Sequence, residues 1–562
     1  MLIPDEQIKS LLLNLKLVDE KILTSTAEYA KNSNIGIGDA LIEKDIVTDE
    51  NLGMLIADSV KIPFIVLSKI TIPDEVLRII PEKIARKRKV IPFIRDKDGI
   101  RVAMANPYDN LVLEMISRKT GQTAFPYYAT DRDIYNKLWM YRRDLQNTFD
   151  ALINEKVIVA GKTVTSSAPV AKIVDLIINY SYQDRASDVH IEPEETDTLI
   201  RFRIDGILHD VLVLPKKLHE QLVTRIKVLA SLRTDEHMAP QDGKMRISLE
   251  EEELDIRVSI LPIVYGEKIV MRLLASRFRQ FSLVDLGMRD IDIQKVTNGF
   301  KKSFGMVLST GPTGSGKTTS IYSILKIINS REKNITTIED PVEYRMKGVN
   351  QIQTNQKANL TFASGLRSIL RQDPNIIFVG EIRDSETAGI AVNAALTGHL
   401  VLSTLHTNDA ATALPRLTDM GVEPFLVAST VNVIVAQRLL RKICEMCKTS
   451  LDVTIDVLSQ NLPPDIVTKH FGEKKEVRIY KGDGCAVCRK TGYSGRIGVF
   501  EVLEVTPPLR KLITQKADVD LILKHATQVD GMTTMLDDGL IKVLQGLTTI
   551  EEVLRVTKVG AL

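Results

Sequence analysis

Eight consecutive residues, Gly311-Pro312-Thr313-Gly314-Ser315-Gly316-Lys317-Thr318, satisfy the phosphate-loop pattern G-x-x-x-x-G-K-[ST] at every position. Small residues let backbone N–H groups turn toward phosphate oxygens, Lys317 supplies a point charge, and Thr318 offers a hydroxyl to magnesium. Such a loop belongs between a buried strand and the N-terminus of a helix, whose end favours anions. Both neighbours have that character. Gly305–Thr310 is a short apolar run suited to a buried strand, and Thr319–Ile328 carries apolar residues at helical spacing. With Thr319 the candidate nucleotide-binding set runs from 311 to 319, and nucleotide hydrolysis is the leading expectation.

Downstream, strand-like and helix-like segments alternate, the signature of a mostly parallel α/β sheet. Ligands of such folds sit at strand C-termini, so polar residues just past each apolar run are candidates for chemistry. Asn334–Ile338 leads to Glu339-Asp340-Pro341-Val342-Glu343, whose carboxylates are placed to orient water. Spacing alone does not separate Glu339 from Glu343. Ile376–Val379 ends in Gly380-Glu381, matching a strand whose carboxylate holds magnesium directly or through water, with glutamate where many ATPases carry aspartate. Leu400–Thr404 leads to His406, a candidate γ-phosphate sensor, while His399 precedes the same strand.

All four cysteines fall in two close pairs, Cys444/Cys447 and Cys485/Cys488. In a cytosolic chain this pattern reads as tetrahedral thiolate ligation of zinc rather than as disulfides. Four thiolates leave no open coordination position, so the expected metal is structural. Gly482, Gly484 and Gly492 suit the tight turns around the second pair. The start, Met1–Glu6, lacks the basic-then-apolar character of a secretory signal, and no run approaches the roughly 18 apolar residues that span a bilayer. A cytosolic location is expected, with any membrane role arising through a partner. Lys and Arg number 74 against 72 Asp and Glu, and aromatics make up 5% of the chain, so neither charge nor stacking surface argues for nucleic acid.

At roughly 100–200 residues per domain, 562 residues hold several domains. Residues 1–60 read as a helical module in which Leu12, Val18 and Leu23 recur as Leu41, Val47 and Leu52. Residues 61–140 mix short strands with helices in a small α+β domain, and the polar, small-residue stretch 141–168 reads as a linker. Residues 169–280 carry period-two strands at Leu199–Ile204 and Leu254–Ile260 with arginine-rich outward faces. There Arg203, Arg225, Arg257 and Arg272 are candidate arginine fingers that stabilise charge on a transferring phosphoryl group. The ATPase core spans 281–440, the tetracysteine element 441–498 and a C-terminal helical region 499–562.

Taken in order, Gly311–Thr318, Glu339–Glu343, Gly380–Asp384 and His399–His406 resemble the Walker A, Asp box, Walker B and His box of the secretion ATPase superfamily that powers type II secretion and type IV pili. Arg185-Ala186-Ser187-Asp188-Val189-His190-Ile191-Glu192-Pro193 and Arg203–Gly206 resemble its arginine-bearing N-terminal domain. The resemblance runs from about residue 165 to the end and is nearest to the pilus assembly (extension) group. It implies a RecA-like P-loop core, a preceding α+β (PAS-like) domain, a helical/α+β N-terminal module and a tetracysteine zinc ribbon. It also implies a ring homo-hexamer whose active sites lie between two domains, with neighbours supplying arginines. Lys317 and Thr318 then bind phosphates and magnesium, Glu343 polarises the attacking water, and Glu381 supports the metal site; ATP, Mg2+ and Zn2+ are the implied cofactors. The implied function is a cytoplasmic motor at the inner face of the inner membrane that drives pilin polymerisation through an inner-membrane platform protein.

Pilus retraction ATPases resemble the core but typically lack the long N-terminal region and the tetracysteine element. A type II secretion motor shares every element named, and a nucleic-acid motor or a non-hydrolytic scaffold are more distant readings. The front of the chain resembles the N-terminal module of these ATPases, which in some members binds cyclic di-GMP. Gly36–Ile42 matches that repeat, the first copy lacks the matching glycine, and docking to a membrane-complex partner is the preferred reading of the module.

Overall fold

The computed structural model describes residues 2–15, 17–33, 35–44, 46–141, 168–249, 253–274, 281–460, 462–472, 474–485 and 488–557. Most of the expected linker lies outside the described residues. At the front, four short helices, Asp5–Asn14, Glu20–Ser33, Ile37–Glu43 and Asp49–Val60, turn their apolar stripes toward one another. Leu12, Val18 and Leu23 share that core with Leu41, Val47 and Leu52, so both copies of the repeat point inward. Strands β1 (Val90–Arg95), β2 (Ile100–Met104) and β3 (Ala124–Tyr128) form the next sheet, antiparallel between β1 and β2 and parallel between β2 and β3. Phe64 and Tyr128 carry its packing into the helical core.

Six strands come next: β4 (Asp188–Pro193), β5 (Asp197–Ile204), β6 (Ile207–Pro215), β7 (Gln241–Ser248), β8 (Glu253–Ile263) and β9 (Gly266–Leu274). They pair antiparallel in the order β6-β5-β4-β9-β8-β7. Alternation decides their faces: Ile200, Phe202, Ile256 and Val258 turn inward, under the helices Ala168–Gln183 and His219–Leu229. The arginines between them turn outward.

Nine strands follow: β10 (Gly305–Thr310), β11 (Ile335–Glu339), β12 (Val349–Gln353), β13 (Ile376–Val379), β14 (Leu400–Leu405), β15 (Val431–Ile443), β16 (Lys448–Thr454), β17 (Glu476–Gly482) and β18 (Tyr493–Glu504). Seven of them form one sheet in the order β12-β11-β13-β14-β10-β15-β18, parallel except for β18. Strands β10, β13 and β14 are buried along their whole length, which is why they read as unbroken apolar runs. The helix Lys317–Ile328 covers one face, packing Ile321 and Ile324 near Phe378, Leu402 and Val433. Ser385–Leu396 covers the other, beside Leu308, Val379 and Val401.

The expected divisions at 440 and 498 fall inside β15 and β18. These two strands pair from Val433↔Glu504 to Ile443↔Tyr493, so the tetracysteine element grows out of the core sheet as the far end of a long ribbon. Between its cysteine pairs lie the β16–β17 ladder and the helices Ile455–Ser459 and Pro464–Phe471. Helices Pro507–Thr514, Val519–Gln528, Met535–Leu544 and Ile550–Thr557 close the chain.

Glu552 anchors the last of these helices to β15. Its buried carboxylate accepts from Arg441 on β15 and from Arg555, the latter at 2.7 and 2.8 Å. Burial pushes its pKa up, but the Arg555 and Arg441 hydrogen bonds outweigh burial and hold it at about 2. A carboxyl depressed on folding stabilises the fold above its ordinary value of 4.5, and that contribution is lost as pH falls toward 2. Glu552→Gln is expected to cost on the order of 3 kcal/mol at neutral pH. Thermal melts of wild type and variant should converge as the pH is lowered from 7 toward 3.

Candidate active site

Strand β10 delivers the chain to a loop that only small residues allow. Gly311, Gly314 and Gly316 have φ of 144°, 79° and 92°. A Cβ at Gly311 would come 2.5 Å from the Gln437 carbonyl oxygen and 2.6 Å from Ser315 Oγ, so this position requires glycine. Pro312, Thr313 and Gly314 are exposed, whereas Ser315 and Lys317 are buried. Lys317 Nζ donates to the carbonyls of Gly311 at 2.8 Å and Pro312 at 3.1 Å, holding its charge over the loop. Burial lowers its pKa, and the nearby Glu381 charge opposes that shift. Thr318 and Thr319 are half-buried in the first turn of the following helix.

The two acids that spacing could not separate occupy different environments. Glu339, at the end of β11, is 2% exposed and accepts from the Tyr322 hydroxyl, from Thr337 Oγ1 at 2.5 Å and from Gln351 Nε2 at 3.2 Å. Burial pushes its pKa up against those three donors. The Glu343 side chain is 39% exposed and pairs with Arg257 Nη2 at 3.1 Å; the same guanidinium donates to Val342 O at 3.0 Å. A buried carboxylate saturated by side-chain donors holds structure, while an open one beside a loop is free to meet water.

Glu381, just past β13, accepts from Arg383 Nε at 2.7 Å and lies 3.3 Å from His406 Nε2. The ends of β10, β13 and β14 therefore bring Lys317, Glu381 and His406 to one edge of the sheet. His399 stands at the opposite end of β14, about 20 Å away along a six-residue strand. There its Nδ1 lies 2.9 Å from Ala394 O and its carbonyl accepts from Gly305 N at 3.1 Å, which joins helix to strand.

Register places three of the four candidate arginines in one row across the six-stranded sheet. Arg203 on β5 lies opposite Asp188 on β4, Asp188 opposite Arg272 on β9, and Arg272 opposite Arg257 on β8. Lys244 on β7 extends the row next to Arg257. Adjacent strands are about 4.8 Å apart, so four cations line up beside one buried carboxylate, which pairs with two of them. Asp188 takes Arg272 Nε at 2.9 Å and Arg203 Nε at 3.5 Å. A row so rich in positive charge is suited to a polyanion. Arg225 belongs to the helix His219–Leu229, which packs on the other face of the sheet, and is not brought to this row.

At the far end of the β15–β18 ribbon the four cysteine sulfurs all lie within 4.8 Å of one another. Cys444–Cys485, Cys447–Cys488 and Cys485–Cys488 Sγ separations are 3.9, 3.8 and 3.7 Å. Tetrahedral thiolates about 2.3 Å from one zinc have sulfurs about 3.8 Å apart, so the donor set fits that ion. Backbone N–H groups of Gly484, Cys485 and Gly492 point at these sulfurs from 3.1 to 3.3 Å. Burial pushes the Cys444 thiol up and Cys447 up to about 11. The cluster also touches its surroundings. Met446 packs on the core of the three-stranded unit, Arg489 pairs with Asp184, and Gly495 N donates to Asp205 Oδ2 at 2.7 Å.

Residues 163–555, from the six-stranded unit to the last helix, match the family model described as type II/IV secretion system protein. The chain belongs to this family of ATPases. A second model, the MshEN domain, matches residues 60–146, which hold the three-stranded unit and not the helices that carry the repeat. The type IV pilus assembly ATPase PilB of Myxococcus xanthus is 36% identical over 97% of this chain and 98% of its own length. PilB of Pseudomonas aeruginosa shows the same identity and coverage. The type II secretion system protein HxcR of Pseudomonas aeruginosa is 44% identical, but over 70% of this chain and 78% of its own. The solved Yersinia pseudotuberculosis ATPase DotB, at 20% identity and a TM-score of 0.51, covers 69% of this chain and 94% of its own, and shows the fold alone.

Sequence reasoning passed over two groups at this site. Asp188 is the shared counter-ion of the arginine row, and Gln437 backs the phosphate loop. Gln437 follows the apolar run Val433–Ala436 but lies inside β15, which continues to Ile443, so the strand-end rule that singled out Glu381 and His406 does not reach it. Glu339→Ala is expected to lower stability by about 2 kcal/mol, because three buried donors lose their acceptor. Glu343→Gln should stay within about 0.5 kcal/mol of wild type, the value of a partly exposed ion pair. Chemical denaturation of both variants checks the contrast.

Proposed function

We propose that the chain is an ATP-hydrolysing motor for type IV pilus assembly, working as a homo-hexamer on an inner-membrane platform protein at the cytoplasmic face. The observation that carries pilus assembly over type II secretion is coverage. Relatives named as pilus assembly ATPases align over 97% of the chain, front module included, whereas the more identical secretion relatives align over 70%. Among the described residues no helix is long and apolar enough to cross a membrane, so force on a membrane machine would pass through a partner.

In this reading Lys317 and the loop amides hold the β- and γ-phosphates, and Glu343 polarises the water that attacks the γ-phosphorus, releasing ADP and phosphate. Thr318, with support from Glu381, would hold magnesium, which would supply charge neutralisation at the phosphate oxygens. His406 beside Glu381 senses the γ-phosphate, and the row of Arg203, Arg272 and Arg257 supplies cations from the facing domain of the same or a neighbouring subunit. Cys444, Cys447, Cys485 and Cys488 would hold one zinc, which would fix the end of the ribbon. The front module docks a membrane-complex partner. Its Gly36–Ile42 segment carries the Asp39 carboxylate and sits beside that of Asp5, and both oppose the phosphates of cyclic di-GMP.

Lys317→Ala should abolish ATP turnover while leaving the melting temperature near that of wild type; undiminished turnover overturns the site. Metal analysis should find one zinc per chain, and Cys485→Ser should lose both the metal and thermal stability. Deleting the gene should remove surface pili under the electron microscope and spare protein secretion. Loss of secretion with pili intact would instead support the type II motor.

A further inference from the structure

Gln437 stands one residue beyond the last register pair of β10 and β15, Thr310↔Ala436, beside the point where β10 becomes the phosphate loop. It is 2% exposed. Its Nε2 donates to Ser315 O at 2.7 Å, and its Oε1 accepts from Ser320 Oγ at 2.6 Å and lies 3.5 Å from Ser309 Oγ. One amide thus joins the end of the strand, the loop and the first turn of the helix. Its orientation follows from its partners: the Ser315 carbonyl can only accept, so the nitrogen faces it and the serine hydroxyls meet the oxygen. The loop is also shaped around this residue. A Cβ at Gly316 would come 3.0 Å from Gln437 Nε2, and one at Gly311 would strike its carbonyl oxygen.

We infer that Gln437 is a positioning residue for ATP, holding the phosphate loop in its binding shape before nucleotide arrives. The inference rests on reading Gly311–Thr318 as the ATP site. Ordering a glycine-rich loop on binding lowers affinity, and a loop already held does not incur that loss. The loop grips the phosphates of substrate and transition state alike, so losing the clamp acts on KM and leaves kcat in place.

The test compares the full chain with Gln437→Met and Gln437→Glu in magnesium-dependent ATPase assays, with direct binding of a fluorescent ATP analogue and thermal melts. Gln437→Met should raise KM and the Kd of the analogue about tenfold, the order expected for two lost buried hydrogen bonds, with kcat within about twofold. In Gln437→Glu at about pH 8 the carboxylate faces the Ser315 carbonyl and cannot donate, so KM should rise at least as far. At about pH 6 the buried carboxyl takes up a proton and regains a donor, and KM should move back toward the wild-type value at that pH.

A purely structural glutamine would lower the melting temperature and leave KM unchanged, and that result overturns the inference. So does a loss of kcat with KM intact. If Gln437→Met does not fold, the pH dependence of KM in Gln437→Glu decides alone. Lys317→Ala separates the two levels. Turnover that survives it refutes the ATP site, whereas an inactive Lys317→Ala with unshifted KM in the Gln437 variants refutes this inference only.

Discussion

Strand β15 pairs along β10 from Met306↔Val431 to Thr310↔Ala436 and then continues to Ile443 after β10 has become the phosphate loop. Links to the loop, the last helix and the thiolate cluster all start from that overrun. Gln437, the first residue past the β10 pairing, meets the loop; Arg441 holds Glu552 of the last helix; Ile443 N donates to Leu547 O at 2.9 Å; and Cys444, just after the strand, opens the thiolate cluster. The paired part is buried throughout, with Val431, Val433, Ile434 and Val435 each at 2% exposure or less. Each such side chain contributes about 1.5–3 kcal/mol. That burial sets the strand in place, and the glycine-rich loop then takes its shape against a fixed wall.

Electrostatics divides labour within one turn of chain. Glu339 and Glu343 are four residues apart, yet one is enclosed by Tyr322, Thr337 and Gln351 and the other faces a guanidinium at the surface. Burial raises the first carboxyl and removes it from contact with water. The six-stranded sheet applies the same logic to cations. Asp188 is the counter-ion that Arg203 and Arg272 share within the row, while Arg257 finds its partner, Glu343, on the core.

Much of this was legible in residue order. Continuous apolar runs at β10, β13 and β14 announced a parallel sheet, the phosphate-loop pattern announced Lys317, and strand-end position announced Glu381 and His406, because in such sheets burial and chemistry separate along the strand. The alternation in β5 and β8 showed which arginines face outward. What pattern could not supply was pairing. That Arg203, Arg272 and Arg257 share a row depends on which strands become neighbours, and helical Arg225 looks equivalent to them until the sheet is assembled. The ribbon was likewise hidden, since β15 and β18 are separated by the whole β16–β17 insert and their pairing has no local signal. Glu339 and Glu343 were alike in spacing and became distinct only through partners that folding supplies, Tyr322 and Gln351 for the first and Arg257 for the second.

The contact of Arg257 with Glu343 and Val342 bridges two separately packed units. Half-exposed pairs of this kind are worth about 0.2–1 kcal/mol, little more than thermal energy. The acid is therefore coupled to the neighbouring unit by a link too weak to resist displacement and too short to ignore it. A tilt of a few degrees between the units changes this 3.1 Å separation before it disturbs either hydrophobic core. On the role proposed for Glu343, the pair ties the water-polarising carboxylate to the position of the neighbouring unit.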